Sequence, residues 1–179
     1  MHRLFRAPVV AAMLVPVYLG LAACSVEVDK DDQGHKARVD VKTIGADVSV
    51  HGGIDAPDTG LPVYPGARAV RNDDRNEAAD VNVRVPFVHV HVVAAKYESD
   101  DAPAQVLAFY RGEMRKFGEV VECGGDIDFK HDRLTCRHRL GREETTLGVG
   151  TEEHHRVVAV KPIGSGTQLS LAYIDTEHP

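Results

Sequence analysis

Valine alternates with polar residues along several short segments of the chain, and alternation of this kind predicts half-buried β-strands. Residues 81–85 follow this pattern, with valine at the odd positions. In residues 88–92 the valines stand at the even positions instead. Because a strand cannot move its buried side chains to its other face without a bulge or a turn, Pro86 and Phe87 are predicted to form a corner between two strands.

One segment, residues 102–117, has the apolar spacing of an α-helix. Its apolar side chains recur every three or four residues, Pro103 fits a first turn, and Gly118 can end the helix. Asp100 and Asp101 stand just before it, where a capping group and a favourable partner for the helix dipole are wanted.

After the helix the pattern returns to short alternating segments. Strands are predicted at residues 119–123, 126–130, 134–139, 145–149, 156–162 and 167–174. The glycines at 164 and 166 can form a hairpin connection between the last two. Since one helix cannot cover both faces of so many strands, the predicted fold class is α+β. The expected architecture is a small two-layer sandwich, a mainly antiparallel sheet with one principal helix on one face.

The first 23 residues have the composition of a secretory signal peptide. Arg3 and Arg6 begin the segment, an apolar run follows at 9–21, and small residues precede Cys24. The run contains a proline and is shorter than the roughly 20 residues that a membrane-spanning helix needs. A cleaved signal peptide at 1–23 is therefore predicted.

The residues Leu21-Ala22-Ala23-Cys24 resemble the lipobox of bacterial lipoproteins. In that family the chain is cut before the cysteine, whose sulfur carries diacylglycerol, and the new amino terminus is acylated, for example with palmitate. The resemblance implies cleavage between Ala23 and Cys24 and lipidation of Cys24. Ser25 replaces the aspartate that marks inner-membrane retention in Gram-negative bacteria, so the family rule implies the outer membrane, facing the periplasm. An ordinary signal peptide with a late cysteine is the alternative.

Composition narrows the possible partners. The 179 residues are 43% hydrophobic and 27% charged, too apolar for a wholly disordered chain. Arg3 and Arg6 carry the only formal charges in the first 23 residues, so their removal takes the net charge from -6 to -8. An acidic protein of this kind is not a general nucleic-acid binder. Anionic lipid is expected to repel it, so that it contacts the membrane through its lipid anchor.

The chain after the signal peptide is predicted to divide in two. Residues 24–60 are expected to be the lipidated amino terminus and a flexible spacer, because polar and glycine-rich stretches dominate them. Within the spacer, valines at 39–41 and 48–50 could pair as a hairpin across Gly45, or belong to an extended linker. Residues 61–179 are predicted to form the α+β globular domain.

Cys123 and Cys136 are the thiols that remain once Cys24 is lipidated. An even pair in an exported chain is expected to be oxidised, and the two lie in neighbouring predicted elements, so a disulfide is predicted. The alternative is a metal site formed by these cysteines with His131 and His138. None of the ligand spacings typical of zinc supports it.

His89 and His91 share one face of a predicted strand, and the neighbouring valines occupy the other. The two imidazoles are therefore expected to face solvent. The functional alternative is a weak metal site or a pH-dependent contact, since histidine titrates near about 6.5. His154 and His155 point to opposite faces if that segment is extended. Because no third metal ligand can be assigned to either histidine pair, no metal and no cofactor is predicted.

Residues 61–67 (LPVYPGA) and 96–118 together resemble a group of largely uncharacterised exported bacterial proteins, with a Tyr-Pro-Gly-Ala opening and a helix containing Phe-Tyr-Arg. The similarity covers roughly residues 61–123. It implies a βαβ-type domain, and it carries over no activity and no site residue.

Signatures of catalysis, such as a nucleophile elbow or a phosphate-binding glycine loop, are missing from the sequence. The leading hypothesis is an envelope lipoprotein that is not an enzyme and binds another envelope protein. One alternative is a module that binds a small molecule or metal through the His89 and His91 face. A hydrolase with an unfamiliar site is the other.

Overall fold

The computed structural model describes residues 25–30, 37–54, 58–72, 75–138 and 143–178. Strands make up 64% of this structure and helices 11%. Among the described residues, no helix is long and apolar enough to cross a membrane. The predicted signal peptide, with its cleavage site at Ala23 and Cys24, lies outside the described residues.

The elements follow one another along the chain in this order: β1 Ser25–Lys30, β2 Ala37–Thr43, β3 Ala46–Gly52, β4 Arg68–Ala69, β5 Arg71–Asn72, β6 Arg75–Asn76, β7 Ala78–Val85, β8 Val88–Ser99, α1 Pro103–Met114, a 3₁₀ turn Arg115–Phe117, β9 Val121–Lys130, β10 Arg133–His138, β11 Thr145–Gly150, β12 His154–Ile163 and β13 Gly166–Glu177. The turn at Pro86 and Phe87 between β7 and β8 confirms the predicted corner, and a turn at Gly164 confirms the predicted last hairpin.

Hydrogen bonds join ten strands into one antiparallel series, in the order β1-β2-β3-β7-β8-β13-β12-β11-β9-β10. The short strand β4 pairs with β8, and β5 and β6 form a separate ribbon. The last strand, β13, lies against β8 over its whole length, from Thr167 opposite Ser99 to Glu177 opposite His89. This central pairing connects the amino-terminal strands to the carboxy-terminal ones.

The main core lies between α1 and one face of β8, β13, β12 and β11. Alternate residues of each strand point to it, including Tyr97, Leu171, Val158 and Leu147. The stripe that α1 contributes is fully or almost fully buried: Val106, Leu107, Tyr110 and Met114. Burial of these apolar side chains is the main source of stability for this half of the sheet.

The predicted α+β fold class is wrong, because the protein is a β-rich sandwich. The expectation rested on α1 as the principal second layer. The helix has only 12 residues and packs against β11, β12 and β13. Two features outweigh it: the segment expected to be a spacer adds β1, β2 and β3 to the sheet, and β9 with β10, in regions predicted as strand, forms a layer on the face opposite α1.

The layer opposite α1 arises because β9 bends. Residues 121–124 of β9 pair with β11, whereas residues 125–130 pair with β10, so the two predicted strands here are one bent strand. Gly125 at the bend has φ 114°, a conformation that favours glycine. Any side chain at Gly148 of β11 would collide with Ile127, which shows that the β9–β10 hairpin lies across the sheet face opposite α1.

A disulfide between Cys123 and Cys136 holds this bend, with the two Cα atoms 5.3 Å apart. It confirms the predicted bond. Cys123 precedes the bend in β9 and Cys136 lies in β10, so the bond ties the hairpin to the part of β9 that belongs to the main sheet.

The valines at 39–41 and 48–50 form the β2–β3 hairpin, one of the two structures that the sequence allowed. This hairpin joins the main sheet through β3 and β7, where Val50 lies opposite Val81. The described part of the predicted spacer therefore extends the sheet by three strands. Its valines continue the face opposite α1.

The start of α1 differs from the prediction. Its N-cap residue is Ala102, and no side chain caps the helix. Asp100 instead accepts two hydrogen bonds from the Arg68 guanidinium, both at 2.9 Å, and Asp101 accepts one from the Tyr64 hydroxyl at 2.8 Å. The two carboxylates fasten Tyr64 and the first residue of β4 to the start of the helix.

Candidate functional site

A cleft of ≈ 970 Å³ lies between the β9–β10 hairpin and the sheet face opposite α1. We call it the hairpin cleft. Its apolar lining consists of Ile127 and Phe129 from the hairpin and Val157, Ala159 and Ile174 from the sheet. A cleft of this size is within the range of sites that bind small molecules or short peptide segments.

Strand alternation explains the floor of the cleft. In β12, His155, Val157 and Ala159 point into the cleft, whereas Val158 and Val160 between and beyond them point to the core under α1. The hairpin provides the opposite wall, where the ring of Phe129 lies 4.8 Å from the ring of His155.

Carboxylates surround this apolar floor. Five acidic residues line the cleft: Asp126, Asp132, Glu144, Glu152 and Glu153. No lysine or arginine lines it in the part of the chain that the structure describes. Clefts lined by charges of one sign focus the electrostatic field, so this cleft favours a positively charged ligand.

Two turns meet at one end of the cleft. The Asp132 carboxylate accepts a hydrogen bond from the Glu152 backbone N–H at 3.2 Å, which joins the β9–β10 turn to the β11–β12 turn. His131 and Asp132 both have positive φ, 53° and 58°. Histidine and aspartate are among the non-glycine residues that tolerate this region best.

His155 is expected to make the free energy of unfolding depend on pH. The dependence should appear at a higher pH than the range in which carboxylates titrate. Burial lowers the pKa of His155 below its ordinary 6.5, against smaller opposing effects of Thr151, Glu152 and their backbone groups. The unfolded chain then binds the proton more tightly than the folded one. Stability is complete above pH 6.5 and falls as the pH is lowered through 6.5 toward the folded-state pKa.

Urea unfolding of the wild type between about pH 5 and 8 measures this effect. His155→Gln should flatten the dependence, and His178→Gln, which changes an exposed histidine, should leave it intact. An equal slope in wild type and His155→Gln would contradict the assignment.

The predicted pair His89 and His91 lies on the same sheet face as Tyr97, but beyond the part that α1 covers. The valines at 88, 90 and 92 lie on the opposite face, as expected. The Nε2 atom of His91 is 3.0 Å from Asp80, and that of His89 is 3.2 Å from Asn82. The Asn82 amide donates in turn to Asp80. Rather than pointing freely into solvent, the imidazoles are half-buried in a hydrogen-bonded network.

The residues that the structure describes contain no group of three or more His, Cys, Asp or Glu side chains arranged to hold a metal ion. Cys123 and Cys136 are bonded to each other, so neither offers the thiolate that the alternative site with His131 and His138 requires.

No protein-family model, curated protein or solved structure matches this chain. The hairpin cleft itself was not anticipated from sequence. The available signal was the acidic and apolar composition of residues 126–129 together with the alternation at 155–159.

Proposed function

We propose that the protein is a lipid-anchored, non-catalytic binding protein of the bacterial envelope. Cys24 holds it in the outer membrane, facing the periplasm, and the hairpin cleft binds a basic, partly apolar segment of another envelope protein. The observation that carries the proposal is the combination of an apolar floor with five carboxylates and no lysine or arginine among the described lining residues.

The two parts of the cleft have separate tasks. Burial of apolar side chains against Val157, Ala159 and Ile174 supplies affinity. The carboxylates attract cationic partners and disfavour acidic ones, which supplies selectivity and a faster encounter. A non-catalytic role is supported by the missing motifs and by Thr151, a hydroxyl of the cleft, which caps its own turn by accepting the His154 N–H at 3.1 Å.

The anchoring half is tested in a Gram-negative host. Metabolic labelling with a palmitate analogue should mark the wild type, and Cys24→Ala should abolish both the label and membrane retention. Ser25→Asp should keep the label but move the protein toward the inner-membrane fraction. A Cys24→Ala protein that is still acylated, or still membrane-bound after a high-salt wash, would refute the anchor.

The binding half is tested with a fluorescent basic amphipathic peptide and an acidic peptide of the same apolar residues. The wild type should bind only the basic peptide. Ala159→Trp, which fills the floor, should weaken binding at least tenfold, a loss of about 1.4 kcal/mol. Ala94→Trp places the same side chain elsewhere on this sheet face and should have no effect.

The contribution of the carboxylates that line the hairpin cleft is tested separately. Replacing Glu152 and Glu153 by glutamine should weaken the basic peptide roughly fivefold and reduce the salt dependence of binding, because exposed charge pairs contribute about 0.2–1 kcal/mol each. Equal binding of the acidic peptide, or normal binding by Ala159→Trp, would overturn the proposed site.

A further inference from the structure

Two large apolar side chains project into solvent at neighbouring turns. Ile44, in the β2–β3 turn, is 87% exposed, and Phe87, in the β7–β8 turn, is 73% exposed. The turns are adjacent because β3 pairs with β7, with Asp47 opposite Arg84. A Cβ at Gly45 would be only 3.9 Å from Pro86 Cγ. We call this end of the sheet, formed by residues 43–46 and 85–88, the apolar tip.

The chain enters the sheet at this same end. The first described residue, Ser25, lies opposite Lys42, two residues before Ile44. In the sequence Ser25 directly follows Cys24. One residue of chain spans at most about 3.5 Å, so lipid attached to Cys24 would enter the bilayer beside the apolar tip. The length of chain between anchor and sheet leaves no room for a long tether.

The charges near the apolar tip differ from those of the whole protein. Lys42 and Arg84 flank the two turns, with Asp47 between them in the sheet and Glu177 nearby. The tip is therefore balanced in charge, although the mature chain is strongly acidic. Apolar side chains next to long basic ones are typical of surfaces that lie in the interfacial region of a membrane.

We propose that the apolar tip is a second membrane contact, in which Ile44 and Phe87 enter the interfacial region of the bilayer next to the anchor. This inference rests on the proposed function, because it requires the lipid on Cys24. Two side chains would bind a vesicle weakly on their own. The anchor makes their insertion an intramolecular event with a high effective concentration. The sheet is then held upright at its tip.

The absence of tryptophan from the chain makes a direct test possible. The lipidated Phe87→Trp protein is reconstituted into phosphatidylcholine vesicles, with and without brominated acyl chains. The single tryptophan should show a blue-shifted emission maximum and strong quenching by the brominated lipid. Ile44→Trp should behave in the same way.

Val63→Trp is the matched control. Val63 is 45% exposed and stands beside Tyr64, which binds Asp101 near the other end of β8. Its tryptophan should keep the same emission in vesicles and in detergent-free buffer and escape quenching. Thermal unfolding of each variant before reconstitution confirms that the turn substitutions leave the fold intact.

The outcomes separate the inference from the function on which it rests. Mass spectrometry that finds no acyl chains, with protein that does not associate with vesicles, would refute the proposed anchor. Acylated, vesicle-bound protein whose Phe87→Trp emission is unshifted and unquenched would overturn the apolar tip alone. A blue shift without lipid that grows with protein concentration would also overturn it, in favour of contact between two copies.

Discussion

Replacement of Cys123 and Cys136 together by alanine is expected to lower the free energy of unfolding by about 3 kcal/mol. The bond closes a loop with a sequence separation of 13 residues, and its loss increases the entropy of the unfolded chain. The folded state is destabilised as well, because β9 is the one partner strand of β10 among the strands that the structure describes. Without the bond, the hairpin should open away from the sheet and expose the hairpin cleft.

Urea unfolding of the wild type and the double variant measures the loss, and reduction provides the control. Wild type in excess reductant should unfold at the same urea concentration as the double variant, whereas reductant should not affect the variant. Hydrogen exchange should rise in residues 125–138 before the rest of the sheet opens. A loss below about 1 kcal/mol would mean that packing of the hairpin, rather than the bond, holds the second layer.

Gly150→Ala is expected to destabilise the protein by roughly 2–6 kcal/mol, because backbone strain and a steric clash add at this position. Gly150 ends β11 with φ 115°, which disfavours any side chain. Its Cβ would overlap the carbonyl oxygen of His154 and lie 2.9 Å from the Cα of His155. The β11–β12 turn cannot relieve this overlap without breaking the pairing of Gly150 with His155.

Gly164→Ala is the control for a positive-φ glycine without a steric clash. Gly164 also has positive φ, 49°, but a Cβ there would meet no atom within 4 Å. Its loss should therefore be about 1 kcal/mol, from backbone conformation alone. Thermal unfolding of both variants under the same conditions gives the comparison. Equal losses of stability at the two positions would show that the β11–β12 turn adapts and that the steric clash at Gly150 contributes nothing.

Local pattern was a good guide to individual strands. The change of parity between Val85 and Val88 required a turn at Pro86 and Phe87, and the turn is there because two residues suffice to reverse the chain. The cysteine count also led to the correct bond. These predictions succeed because each depends on residues that are close in sequence or on a pairing with a single solution.

The pairing of strands that are distant in sequence could not be predicted. Nothing in the valines of β3 specifies β7 as their neighbour, because many alternating strands offer a compatible face. The bend of β9 depends on Gly125 and on the small residue Gly148 beneath Ile127, two features separated by a whole hairpin. The fold class was missed for this reason, and so was the hairpin cleft, whose lining comes from three separate stretches of chain.

The same reasoning failed at the start of α1. Aspartates before a helix usually indicate caps, yet Asp100 and Asp101 have partners more than thirty residues away in Arg68 and Tyr64. A charged guanidinium and a hydroxyl compete successfully for carboxylates that a helix N-terminus would otherwise attract. The competition is decided by the path of residues 64–68, which no local pattern near the helix describes.

The pairing of β13 with β8 also determines when the molecule can fold as it leaves the ribosome. β8 spans Val88–Ser99, but the strand that borders it on one side, Gly166–Glu177, is synthesised only after α1 and the four strands β9 to β12. Until that strand emerges, β8 presents an open edge and the core under α1 lacks Leu169 and Leu171. Cooperative folding of this half therefore waits until β13 has emerged, although β8 and α1 are complete much earlier.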